Sequence, residues 1–225
     1  MTREEIRTRI LDALNVSSTS PIFWSTTEMD RIINEAQEAF AEEALAIHRT
    51  VLTALRPGAS YYTTRSIAAD MMAPYRLWMQ DRNRRLTAVS LDSLDRFHEK
   101  WLEVSGTPEV WVPMSWDWFA VYPHPSVGGG ILRVDYIAWP RDLSHDQDQS
   151  ELFESDQDCL ILYAVYQGLL KRWDLATATE AYGRFIDRLR LGKAHAGVRA
   201  LESRTTVTRG APGTPFKSDI GSRWT

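Results

Sequence analysis

The sequence predicts an α+β protein: a helical bundle built from N- and C-terminal helices, an inserted antiparallel β region, and an extended C-terminal tail. Three observations carry this reading. Two capped, helix-periodic segments open the chain. A middle stretch alternates apolar and polar residues with period two and is punctuated by Pro and Gly. Two further helix-periodic segments follow it, before the composition changes at Ser203.

At the N-terminus, Thr2 and Glu5 have the spacing of a capping box, and Ile6, Ile10 and Leu14 recur every four residues. This predicts a helix over about 3–14. VSSTSP reads as a linker. Ser25 and Glu28 then repeat the box ahead of Met29, Ile32, Ile33, Ala36, Phe40, Ala44 and Ile47, which predicts a helix over about 26–48. Its other face carries Asp30, Glu35, Glu38 and Glu42, read as solvated because nothing nearby offers a catalytic partner.

The period changes at Val51, opening a β region over about 51–88. TVLTAL and SYYTT flank Arg56, Pro57 and Gly58 as strand, turn and strand, and YRLWMQ and RRLTAV bracket Asp81, Arg82 and Asn83 as a hairpin. Ser90 opens a helix over about 91–104 with Leu91, Leu94, Phe97 and Trp101, expected to cover the sheet. Strands resume over about 108–139, where Leu132, Val134, Tyr136 and Ala138 share one face and Arg133 and Asp135 the other. Trp111, Trp116, Trp118 and Trp139 give this stretch more aromatic surface than an ordinary small core needs.

From Asp142 to Asp158 there are seven acidic residues and no Lys or Arg, which predicts an exposed connection. CLILYAVYQGLL is apolar nearly all round, so the helix over about 156–172 is expected to be central. Asp174 caps a last helix over about 175–201, with Ala178, Tyr182, Phe185, Ile186 and Leu189 on one side despite Gly183 and Gly192. Residues 1–202 are thus expected to form a single domain. Residues 203–225, with four basic side chains, one acidic one and no periodic apolar face, are expected to be a flexible arm that folds onto a partner.

Composition narrows the function. The 26 Lys and Arg against 30 Asp and Glu leave a formal charge of −4, so attraction of the whole chain to nucleic acid or an anionic membrane is not the leading idea. One cysteine, Cys159, offers no disulfide framework or thiolate metal set, which fits synthesis in a reducing compartment. The opening MTREEIRTRI lacks the pattern of a signal peptide, and no apolar run reaches the roughly 20 residues of a membrane span; the reading is a soluble protein. The five histidines are scattered without the i, i+4 spacing of a helical zinc motif. Asp146, Asp148 and Ser150 imitate the start of a calcium loop, but Glu151 stands where Gly is required and Gln157 where the closing Glu belongs. Gly128, Gly129 and Gly130 precede a strand, not a helix, so they read as a hairpin loop. Arg76, Arg82, Arg84 and Arg85 could meet phosphate, but no base-reading motif surrounds them. No catalytic residue, metal site or cofactor is expected.

An ordered set of features remains. It runs from a capped helix after Trp24, through Leu55, Pro57, Gly58 and Tyr61, to Arg84, Arg85 and Leu86 leading into a helix with Leu94 and Trp101. Gly106 and Pro108 before Trp111 follow, then Val121, Tyr122, Pro123 and Pro125, then Leu132, Val134, Tyr136 and Pro140, and a helix with Leu162, Tyr163 and Ala164. This order, over roughly residues 24 to 190, resembles the head-to-tail adaptor, or connector, proteins of tailed bacteriophages. The resemblance implies a structural virion protein of the phage neck, made in the host cytoplasm. It would form a ring, often of twelve copies, joining portal to tail around a DNA channel. Its partners would be the portal protein, a stopper or tail protein, further copies of itself, and double-stranded DNA passing without sequence-specific binding; no membrane is involved. By analogy the arm would dock on the portal through Arg209, Phe216, Lys217, Ile220, Arg223 and Trp224. Heterologous ring contacts need different faces of one chain to meet, and Trp111, Trp116, Trp118 and Tyr122 are the candidates for the subunit interface. The alternatives are a tail-side stopper or tail tube component, a carboxylate-dependent hydrolase, and a nucleic-acid-binding module.

Overall fold

The computed structural model describes residues 1–16, 25–115, 117–126 and 130–208, with the backbone alone for 195–208. In chain order its elements begin with α1 (Arg3–Ala13), α2 (Thr26–Ala44), β1 (His48–Ala54), β2 (Tyr61–Thr63), α3 (Thr64–Ile67) and β3 (Met71–Met79). Then come β4 (Arg84–Arg85), β5 (Thr87–Ala88), α4 (Leu91–Phe97), β6 (Ser105–Gly106), β7 (Val110–Pro113) and β8 (Trp118–Tyr122). The last are β9 (His124–Pro125), β10 (Ile131–Ala138), α5 (Asp158–Lys171) and α6 (Leu175–Thr208). The class is mixed α+β. The described chain divides into two compact units, one of residues 1–47 with 139–208 and one of residues 48–138. The first is helical and draws on both chain ends; the second is the inserted β region.

In the helical unit both predicted boxes act as caps. The Thr2 hydroxyl accepts the Glu5 amide at 3.2 Å while the Glu5 carboxylate accepts the Thr2 amide at 2.9 Å. Ser25 accepts the Glu28 amide at 3.1 Å. Ile6, Ile10 and Leu14 of the first helix, and Met29, Ile32, Ile33, Ala36 and Phe40 of the second, are buried as their spacing requires. α2 stops at Ala44, short of the expected 48, because Leu45 turns into the left-handed region at φ 50° and His48 already belongs to a strand. α5 contacts α1, α2 and α6. It buries Cys159, Leu160, Ala164 and Gly168 and leaves Ile161, Leu162, Tyr163 and Tyr166 only half-buried, so its all-round apolarity exceeds what this unit covers. α6 continues to Thr208, past the end expected at 201.

Two glycines set how closely these helices approach. A Cβ on Gly192 would lie 2.5 Å from Cζ of Phe40, and one on Gly168 2.9 Å from both δ carbons of Leu14. The cost of glycine inside a helix is the condition for seating those side chains.

The segment from Asp142 to Asp158 is mostly exposed, as its charge predicted, but it is anchored at intervals. Leu143, Ser150, Leu152, Asp156 and Gln157 are buried. The strap is bonded to the N-terminal helices: the amides of Arg3 and Glu4 donate to the carbonyls of Asp148 and Asp146 at 2.9 and 3.1 Å. Gln37 donates to the Arg141 carbonyl at 2.9 Å and accepts Ser150 Oγ at 2.7 Å, and Asn34 accepts the Leu143 amide at 2.9 Å. One acidic residue of the strap, Asp146, meets Arg3 and Arg7 together with Asp30 of α2. Arg7 bonds Asp30 at 2.6 Å and Asp146 at 2.9 Å, and Arg3 bonds Asp146 at 2.8 Å. Asp30, expected on the solvated face of α2, is instead enclosed in this cluster.

The β unit holds two four-stranded sheets, ordered β1-β10-β3-β4 and β2-β8-β7-β5, and a two-stranded β6-β9 pair. The long pairings are antiparallel; β5 with β7 and β6 with β9 are short parallel pairs. The expected second hairpin is present, with Trp78 opposite Arg85 and Met79 opposite Arg84. β1 and β2 do flank a turn, yet they enter different sheets, because β10 supplies the partner row for β1 and Phe119 of β8 stacks on Tyr62 of β2 at 5.6 Å. Leu77, Met79, Leu132, Val134 and Tyr136 form the buried row of the first sheet. The helix expected over 91–104 closes at Phe97, and Trp101 enters the core from a separate one-turn 3-10 helix. There it clusters with Leu94, Val112 and Ala120 while its indole donates to Asp95 at 2.8 Å.

The glycine contacts yield a paired test. Gly192→Ala is expected to lower stability by about 1–3 kcal/mol through overpacking on Phe40. Gly183→Ala, where nothing lies within 4 Å of the new Cβ, is expected to raise it by about 0.5–1 kcal/mol. Urea unfolding of the two variants checks both signs.

Candidate interaction surfaces

Strand β8 divides the aromatic segment. Phe119 and Val121 point into the core, where Phe119 also meets Trp111 edge-on at 6.2 Å. Trp118, Ala120 and Tyr122 point the other way. α4 and Trp101 cover Ala120 and half-bury Tyr122. Trp118 lies beyond that cover and is 47% exposed, as is much of Tyr61, whose ring stands edge-on to Trp101 at 6.0 Å.

The four-stranded sheet led by β1 has a second kind of surface. Its outward face aligns Thr50, Asp135 and Arg76 in one cross-strand row and Leu52, Arg133, Trp78 and Arg85 in the next. Asp135 is only 1% exposed. It accepts Thr50 Oγ1 at 2.7 Å, Arg76 Nε at 2.6 Å and Arg133 Nε at 3.1 Å. Burial alone would raise its pKa; the hydrogen bonds from Thr50 and Arg76, the charge of Arg76 and the bond from Arg133 outweigh burial and hold it below 3.8. Arg76 also lies 5.9 Å from the ring centroids of Tyr75 and Trp78. Among the described residues the buried indole N–H of Trp78 meets no acceptor. This face therefore carries more donors than acceptors.

Cys159, Asp146 and Asp148 are each engaged structurally. Burial, with Asp156 nearby, pushes the Cys159 thiol up to about 12, far from a reactive thiolate. Asp148 is held low by the amides of His145 and Ser144, and Asp146 by Arg3 and Arg7, so the calcium-like spacing serves a turn and an ion cluster. Among the described residues no group of three or more His, Cys, Asp or Glu could hold a metal ion, and no helix is long and apolar enough to cross a membrane.

The expected interface residues thus separate. Trp111 is 4% exposed and packs inside the unit, Tyr122 is partly covered, Trp118 is open to a partner, and Trp116 lies outside the described residues. Arg209, Phe216, Lys217, Ile220, Arg223 and Trp224 of the arm also lie outside them. Sequence reasoning passed over Trp173, which is 85% exposed at the turn between α5 and α6 with φ 62°, followed by exposed Leu175. The signal was present: an aromatic residue immediately before a helix cap, where no apolar period calls for one.

Among known proteins, the family model described as SU10 adaptor protein matches residues 1–212. A comparison with curated proteins returns no match.

Acid is expected to weaken the β unit through Asp135. A carboxylate whose folded pKa is depressed adds stability that is complete well above its unfolded value of 3.8 and is lost as pH falls through the lower folded value. Asp135→Asn is expected to cost about 3–5 kcal/mol at neutral pH. The variant's stability should then fall less than that of the parent below about pH 4, as read by urea unfolding across pH.

Proposed function

Because the chain belongs to the SU10 adaptor protein family, a family of phage adaptor proteins and virion components, we propose that it is a structural protein of the phage neck, forming a ring that joins the portal to the tail around the DNA channel. The observation that carries this reading is the family match, which takes in both compact units. The exposed aromatics support it: Trp118 and Tyr61 on the β unit, and Trp173 with Leu175 on the helical unit, are the kind of side chain that anchors subunit contacts. So does the half-covered α5, whose groove with α6 sets Ile161, Leu162 and Leu191 within a rim of Asp158, Arg184, Asp187 and Arg188. In this reading the C-terminal arm, expected over 203–225 and lying outside the described residues from Arg209 on, docks on the portal.

Sedimentation of purified chain with and without portal protein tests the proposal. A shift to a ring with portal is expected; separate migration of the two, together with virion assembly that survives removal of residues 209–225, contradicts it. Single substitutions sort the tryptophans. Trp111→Ala is expected to destabilise the isolated chain by about 3–5 kcal/mol. Trp118→Ala and Trp173→Ala are expected to leave its melting nearly unchanged and to weaken assembly at least about tenfold each.

A further inference from the structure

We infer that the outward face of the β1-β10-β3-β4 sheet docks the exposed ridge of α2 on a second copy of the chain. The inference rests on the ring reading and names the two surfaces that would meet in it. The row Arg85, Trp78, Arg133, Leu52 is in register across four strands. With strands about 4.8 Å apart, its members stand at about 0, 5, 10 and 14 Å. On α2, Glu35, Glu38 and Glu42 occupy positions i, i+3 and i+7 of one ridge, and Leu45 follows at the helix end. At about 1.5 Å per residue these lie at about 0, 4.5, 10.5 and 15 Å. Laid along the row, the ridge sets Glu35 against Arg85, Glu38 over Trp78, Glu42 against Arg133, and Leu45 on Leu52.

Chemistry agrees with spacing. Glu38 and Glu42 are exposed and make no ion pair among the described residues, and the Glu35 pair with Arg31 is exposed and therefore weak. Arg85 is likewise exposed and makes no ion pair among the described residues. Leu52, 58% exposed, and Leu45 are apolar side chains left open at the matching ends. The helical unit holds twenty acidic and thirteen basic residues, while the β unit, with ten basic and nine acidic, carries no such excess. A nucleic-acid strand fits this face less well. Asp135 already neutralises charge beneath Arg76 and Arg133, and a phosphate backbone has no use for the exposed leucine. The two patches differ, so the contact is head-to-tail and can close into a ring.

The test is a charge exchange in the full-length protein. Arg85→Glu and Glu35→Arg are each expected to weaken assembly at least about tenfold, and the double variant to recover to within about threefold of the parent. Leu52→Ser should weaken assembly without lowering the melting temperature, and salt should weaken the parent. Sedimentation velocity with portal protein reads assembly, and thermal melting shows that each variant is folded. Variants that fold and assemble like the parent, or a folded double variant that fails to recover, overturn the inference. So does loss of duplex-DNA retention in Arg85→Glu with assembly unchanged. A parent chain that forms no ring under any of these conditions removes the ring reading itself, before any variant is compared.

Discussion

The antiparallel pairing of β1 with β10, from His48 opposite Ile137 to Ala54 opposite Ile131, is the constraint on which the fold rests. It brings the first and last strands of the inserted region side by side, so that chain entering at residue 48 leaves beside its own starting point. The loop-closure entropy of so long an insertion is offset by this ladder. Asp135 sits in that ladder and fastens its middle by drawing Thr50 from one neighbouring strand and Arg76 from the other. A buried carboxylate in a sheet is costly alone; held by three donors it favours one register over its slips.

The helical unit solves a similar problem with polar bonds. Its first residues and the strap before α5 lie more than a hundred positions apart in sequence, and both main-chain and guanidinium bonds join them. Within the acidic run Asp146 complements Arg3 and Arg7, Asp148 closes a turn on the amides of Ser144 and His145, and Glu151 and Asp158 face Arg141 and Arg188.

The helix cores were legible because period and caps agree: Thr2 with Glu5, Ser25 with Glu28, and the apolar series behind each read directly as α1 and α2. The face assignment along β10 was legible for the same reason, since Leu132, Val134 and Tyr136 alternate with Arg133 and Asp135. What escaped was set by partners distant in sequence. Nothing local in SYYTT says that β2 joins β8, nor does the spacing of Leu94 and Trp101 reveal the break at Phe97, because burial of the indole against Val112 and Ala120 overrides the helical period. The exposure of the strap was legible from its charge, but its anchoring through Leu143, Ser150 and Asp146 was not, because the partners of these residues lie on the distant N-terminal helices. Among the candidate interface residues, alternation along WDWFAVY separates Trp118 from Phe119, but only the placement of α4 shows which of the two faces stays open.

The buried thiol has a consequence for chemistry done on the protein rather than by it. Cys159 is the sole cysteine, sits inside α5 against the bundle, and holds its proton far above neutral pH. The folded chain is accordingly expected to react slowly with maleimides and mild oxidants, close to a cysteine-free protein. One cysteine introduced on an open surface, such as the turn at Trp173, would carry a spectroscopic label by itself, with little background to subtract and no native residue to remove.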